Sequence, residues 1–292
     1  MLRWRILLGV ALVAALAGLM RLDFVSTPGA WWLPLTIVVG LAGAQEIAAL
    51  LRHGGYQPFP AVIYGGTLLV LASNAVPLFW LPSADDQPLD RLGWPLMAFA
   101  MTVMGPFVGE MIRYRQPGGV VVNLALSIFG VAYVGVLLCF AVQLRVLGGP
   151  VTGMVALVAM IVVVKMGDIG AYTVGRLFGR HKMAPLLSPG KTWEGAAGAI
   201  LFACAGAWVS FNYLPHWLGC NKSHHTWSWL VFGLAVAIAG MLGDLAESLL
   251  KRDLGVKDSS TWMPGFGGVL DLLDSILFAA PVAYLCILLE LT

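Results

Sequence analysis

The chain has 292 residues, of which 59% are hydrophobic and 11% charged, less than half the roughly 25% charged residues of a soluble globular domain. This excludes a disordered chain, a disulfide scaffold and an ordinary cytosolic enzyme, and makes a polytopic membrane protein the expectation. A formal net charge of +2, from 17 basic and 15 acidic residues, is too balanced to point to nucleic acid.

Apolar runs of near-spanning length recur along the chain. They are Ile6–Met20, Trp32–Leu51, Ala61–Leu81, Trp94–Ile112, Val120–Leu144, Val151–Val174, Ala196–Leu214, Trp229–Leu250 and Val269–Leu289. Most approach the ~20 residues that cross a hydrocarbon core. Each is expected to be a helix, because a helix satisfies its own backbone hydrogen bonds in lipid. The expected fold is therefore an all-α integral membrane protein of about nine transmembrane helices, forming a single polytopic domain over 1–292. Trp31, Trp32, Trp80, Trp94, Trp227 and Trp229 lie near span ends, where interfacial anchors belong. Cys139, Cys204 and Cys286 lie in apolar runs and Cys220 in a polar connection. No spacing among them supports a disulfide framework or a zinc site.

The basic residues set the expected orientation. With a cytoplasmic N-terminus, Arg3, Arg5, Arg52, Arg113, Arg115, Arg176, Arg180, Lys182, Lys191, Lys251, Arg252 and Lys257 fall on the cytoplasmic side. Only Arg21, Arg91, Arg145 and Lys222 fall outside, and Lys165 lies within a span. This is a clear positive-inside bias.

An ionisable side chain inside a span costs roughly 2.5–3.5 kcal/mol on insertion scales and is a functional hypothesis by default. Asp168, Asp244, Glu247, Asp271 and Asp274 qualify, while Glu46 and Glu110 read as span-end residues. The expected topology brings all five to the cytoplasmic face, beside the basic segments Arg176–Lys191 and Lys251–Lys257. Carboxylates facing cations suit a polyphosphate with Mg²⁺, which takes carboxylate oxygens together with substrate phosphates. Basic side chains neutralise the remaining phosphate charge. Asp244, Glu247, Ser248 and Lys251 form one helical stripe, and Asp271 and Asp274 share a face of the next helix. Between them Pro264, Gly265, Gly267 and Gly268 allow a tight turn and close approach to a ligand. Gly190–Thr192 does not make a phosphate-binding loop: the first glycine of that pattern falls on Pro185, and no strand is expected before it. His216, His224 and His225 lack metal-ligand spacing.

Residues 243–281 read GDLAESLLKRDLGVKDSSTWMPGFGGVLDLLDSILFAAP, and residues 168–195 read DIGAYTVGRLFGRHKMAPLLSPGKTWEG. Together these resemble the two signature blocks of the phosphatidate cytidylyltransferases, the CDP-diacylglycerol synthases. The resemblance covers about residues 160–285. Residues 151–292 are then the catalytic half, and 1–150 the variable N-terminal spans. Phe266 and Leu272 stand where the family carries His and Arg.

The resemblance implies transfer of a cytidylyl group from CTP to phosphatidate in the bilayer, giving CDP-diacylglycerol and pyrophosphate. It implies a multi-pass protein of the cell (inner) membrane with its site facing the cytoplasm, a Mg²⁺ cofactor with room for a second cation, and no nucleic acid partner. A homodimer is compatible with it. By resemblance, Asp244, Asp271 and Asp274 are metal ligands and catalytic, as is Lys251. Ser188, Lys191, Thr192, Glu194, Arg252, Lys257, Asp258, Gly267 and Gly268 would meet substrate. Asp168 would orient Lys165 or Arg176. The rival readings are a CTP-dependent lipid-alcohol kinase, which transfers the γ-phosphoryl group, a secondary transporter, and a catalytically silent homologue.

Overall fold

The computed structural model describes residues 2–80, 88–115, 118–219, 228–256, 259–260 and 267–291. Ten α-helices follow one another among these: α1 Leu2–Val25, α2 Trp32–His53, α3 Pro60–Ala72, α4 Pro88–Arg113, α5 Val120–Gly130, α6 Leu137–Val146, α7 Gly149–Phe178, α8 Trp193–Trp217, α9 Ser228–Asp253 and α10 Val269–Leu291. Single π-helical turns, Val76–Trp80 and Val131–Val136, prolong α3 and join α5 to α6. Each expected apolar run falls on one of these helical stretches, apart from Leu81 at the end of the third, which lies outside the described residues. Eight of them, from Trp32–His53 to Val269–Glu290, are long and apolar enough to cross a membrane, and α1 holds the first expected run. The protein is a multi-pass membrane protein.

The all-α expectation needs one amendment. Residues 182–192 form an antiparallel hairpin, β1 Lys182–Ala184 and β2 Ser188–Thr192, pairing Lys182 with Thr192 and Ala184 with Ser188. Pro185, Pro189 and Gly190 bar a helix here, so the backbone satisfies itself across a turn. A strand thus does precede α8. Gly190, Lys191 and Thr192 lie within that strand, not in a loop ahead of the helix, so the phosphate-loop geometry is still missing.

Two compact units divide the chain. The first comprises residues 1–143 and 253–272, the second residues 144–252 and 273–292. In the first, Asp23 is 1% exposed and accepts the backbone N–H groups of Gly29, Trp31 and Trp32, satisfying donors that open α2. The Trp32 indole donates to the Ala141 carbonyl at 3.1 Å. Ile47, Ile63, Val70, Leu71, Val131 and Val134 are buried in its core. A polar pair sits in the same interior, where the Gln143 amide donates to Asn74 Oδ1 at 2.6 Å.

In the second unit α7 and α8 run against each other along a seam of small residues. A Cβ on Gly170 would strike the Gly198 carbonyl, and the Cβ position of Gly175 lies 3.5 Å from Gly195 Cα. This close packing suits helices in lipid, where van der Waals contact drives association. It also fixes the ends of α7 and α8, between which the hairpin is carried. Leu157, Met160, Val163, Val236 and Leu277 fill the core. Large apolar side chains elsewhere, such as Val38, Met104 and Leu201, point outward, as a lipid-facing surface requires.

Candidate active site

The described site candidates fall into two groups, one in each unit. The second-unit group is organised by the contact of α9 with α10. A Cβ on Gly243 would collide with the Asp274 carbonyl and would lie 3.1 Å from Phe278 Cβ, so only glycine lets the two backbones approach this far. The next residue, Asp244, is thereby brought within electrostatic reach of Asp274, as is Lys165 from α7. The Asp274 carboxylate accepts the N–H of Ser275. Asp244 Oδ2 pairs with Lys191 Nζ at 2.8 Å, and Lys165 pairs with Asp168 at 3.2 Å. The expected orienting partner of Asp168 is therefore Lys165; Arg176 instead donates to the Tyr172 hydroxyl at 2.6 Å.

Around this cluster, Glu247 is 1% exposed and accepts from Lys251 Nζ at 3.0 Å, one helical turn on. Arg252 donates to the Leu187 carbonyl in the hairpin turn, which anchors the turn to α9. Ser188 opens β2 half-buried. Thr192 is buried and its hydroxyl accepts the Gly195 N–H, which makes it the N-cap of α8. Glu194 accepts the Arg180 and His181 backbone N–H groups, and its Oε1 lies 2.6 Å from His181 Nδ1. Thr192 and Glu194 thus hold the base of the hairpin, whereas Lys191 turns toward the carboxylates.

The first-unit group gathers at the start of α10. Asp271 Oδ2 accepts from the Ser259 hydroxyl at 2.7 Å, the Gly268 N–H at 2.7 Å and the Ser259 N–H at 3.2 Å. Gly267 has φ of 83°, which glycine adopts freely. Gly268 packs so tightly that a Cβ would strike Ser259 Oγ and Glu46 Oε2. Lys257, Asp258 and Phe266 lie outside the described residues, and Leu272 is half-buried. Glu46 is the residue that sequence reasoning passed over. It is not a solvated span-end charge but is 7% exposed, with its carboxylate on the α10 N-terminus. The available signal was its position seven residues inside the end of α2, in apolar sequence.

Among the described residues no group of three or more His, Cys, Asp or Glu side chains is arranged to hold a metal by itself. The donor chemistry nevertheless fits Mg²⁺, which is commonly held by one or two carboxylates and completed by phosphate oxygens and water. Asp244 and Asp274 are such a pair, and their mutual repulsion is relieved by a cation. Lys191 and Lys165 beside them suit phosphate.

The sequence matches the profile described as the cytidylyltransferase family over residues 4–289. It is 34% identical to the phosphatidate cytidylyltransferase of Pseudomonas aeruginosa, across 97% of this chain and 95% of that protein. The Staphylococcus epidermidis protein of the same name is 34% identical over 76% of this chain and 91% of its own length. That of Mycobacterium bovis is 29% identical over 97% and 85%. These similarities extend well beyond the two sequence blocks into the N-terminal spans. With nearly the whole length matched, the chain belongs to the cytidylyltransferase family.

Proposed function

We propose that the protein transfers the cytidylyl group of CTP to phosphatidate, giving CDP-diacylglycerol and pyrophosphate. The observation that carries this reading is the pairing of Lys191 with Asp244 beside Asp274 and Lys165, in a chain similar to phosphatidate cytidylyltransferases along most of its length.

The attacking group is a phosphate monoester oxygen, already largely ionised at neutral pH. No side chain need remove a proton from it. This oxygen forms a bond to the α-phosphorus of CTP while the bond from that phosphorus to the β-phosphate oxygen breaks, and pyrophosphate leaves with the electron pair. The difficulty is to bring two anions together in line, so the protein's task is charge neutralisation and alignment. Lys191 exchanges Asp244 for a phosphate oxygen, and Lys165 adds a second positive charge. Lys251, Arg252 and Lys257, with Asp258, Ser188, Gly267 and Gly268, form the remaining substrate contacts of the proposal. Thr192 and Glu194 set the hairpin that presents Lys191. Asp244 and Asp274 would hold Mg²⁺, which would supply Lewis-acid neutralisation of the phosphates, and the motif assigns Asp271 a metal-ligand role as well.

The positive-inside bias supports a site facing the cytoplasm of a cell (inner) membrane. The testing experiment incubates purified protein with labelled CTP and phosphatidate and analyses the lipid product. A lipid that carries the nucleotide is expected. A parallel incubation with a lipid alcohol in place of phosphatidate should give no phosphorylated lipid; transfer of the γ-phosphate to that hydroxyl, with no nucleotide-bearing lipid from phosphatidate, would identify a kinase and overturn the reading.

A further inference from the structure

Glu46 has a carboxylate in an apolar helix, and neither the reaction nor the two sequence blocks account for it. Its Oε1 accepts the Val269 N–H at 2.9 Å, and its Oε2 accepts the Leu270 N–H at 2.7 Å and the Ser259 hydroxyl at 3.0 Å. These two N–H groups belong to the first turn of α10, whose opening donors have no partner within the helix. A helix usually supplies that acceptor from its own N-cap side chain. Here the residue before α10 is Gly268, which has none and cannot have one, because a Cβ would strike Glu46 Oε2 itself.

Asp271 supplies the reciprocal half of the cap, reaching back from the first turn to the Gly268 N–H. The same Asp271 oxygen also takes the Ser259 hydroxyl and N–H. The one hydroxyl proton of Ser259 therefore lies between two carboxylate oxygens, at 2.7 Å from Asp271 and 3.0 Å from Glu46. The orientation of Asp271 is tied to Glu46 along two routes, through this hydroxyl and through the backbone at 268–270.

We infer that Glu46 is a positioning residue for the nucleotidyl transfer, fixing the rotamer of Asp271 through Ser259 and the first turn of α10. This inference rests on the proposed role of Asp271 as a metal ligand. A carboxylate that holds a ligand in place typically contributes 10- to 100-fold to metal affinity or activity. Glutamine at this position keeps one acceptor and turns an NH₂ group toward a backbone N–H, so it removes the clamp with almost no change in volume.

The test uses the full-length protein in lipid nanodiscs, as wild type, Glu46→Gln, Ser259→Ala and the double variant. Two readouts are taken: amide exchange of the peptide spanning residues 259–272, and turnover as a function of Mg²⁺ concentration. Glu46→Gln is expected to speed exchange in that peptide at least tenfold, to lower kcat by about 10- to 100-fold, and to raise the Mg²⁺ concentration for half-maximal turnover. KM for CTP should change less than kcat. Ser259→Ala should move the same quantities in the same direction, and the double variant should lose no more than Glu46→Gln alone, since both act through one network. Faster exchange with wild-type kcat and Mg²⁺ dependence would make Glu46 a helix cap only and overturn the proposal, as would unchanged exchange. If Glu46→Gln does not fold, Ser259→Ala decides by the same criteria. If wild type makes no nucleotide-bearing lipid, the proposed function fails, and the exchange readout still decides whether Glu46 holds the Asp271 segment.

Discussion

Replacing Gly243 by alanine separates stability from catalysis. The added methyl would run into the Asp274 carbonyl, a backbone atom that cannot rotate aside. To reach the ordinary contact range of 3.4–4 Å, α9 and α10 must part by roughly 1 Å, because the repulsive wall of the contact is steep. Overpacking of this kind destabilises by about 1–3 kcal/mol, while alanine in place of glycine within a helix returns roughly 1 kcal/mol. The net loss of stability is therefore about 0–2 kcal/mol. The effect on rate is larger. Asp244 is the next residue and shifts against Asp274, and a displacement of about 1 Å at a reacting centre is worth on the order of 100-fold. Gly243→Ala should thus lower the melting midpoint in detergent by no more than several degrees while CDP-lipid formation from labelled CTP falls about 100-fold. Gly109→Ala in α4 is the control: a Cβ there has nothing within 4 Å, so turnover should be unchanged. Wild-type turnover in Gly243→Ala would show that the spacing of Asp244 and Asp274 does not govern the chemistry.

Asp244→Asn and Asp271→Asn should each abolish nucleotidyl transfer while leaving expression and membrane insertion intact, as measured by product assay and membrane fractionation; near-normal turnover in either would remove that carboxylate from the metal site. Thr192→Val should lose the α8 N-cap, lowering stability by about 1 kcal/mol, which a drop of a few degrees in the melting midpoint would register. A single cysteine at the exposed position 182, in a variant without the four native cysteines, should react with an impermeant thiol reagent only from the cytoplasmic side; labelling of intact cells from outside would reverse the orientation. Phe266→His combined with Leu272→Arg should retain or raise activity in the same assay, and loss of activity with folding preserved would show a site rebuilt around the apolar pair.

The helices were legible because the signal for each is long, continuous and local: about twenty apolar residues have few other solutions in lipid. The acids of α9 and α10 were legible as helical stripes by their spacing. Their approach was not, because it depends on Gly243 meeting a backbone carbonyl on another helix, and hydropathy carries no trace of which glycine does so. The hairpin at 182–192 escaped because its strands are only three and five residues long. Its prolines and glycine report where a helix is excluded without saying what replaces it. Thr192 read as a substrate contact, although its position ahead of α8 also marks an N-cap. Glu46 escaped for a different reason: its partners are more than two hundred residues away, and a reading by local spacing sees only an acid near the end of a span.

That separation has a consequence for how the protein is made. Glu46 enters the bilayer with α2, whereas Ser259 and the first turn of α10 lie 213 to 224 residues further on. At a synthesis rate of roughly 5–20 residues per second, the partner emerges about 10 to 45 s later. During that interval the carboxylate sits in a partly assembled chain and must be held by water, lipid headgroups or the insertion machinery. Its capture by α10 is a late closing event, so a ribosome that stalls before α10 leaves a nascent chain whose α2 still carries an unpaired acid.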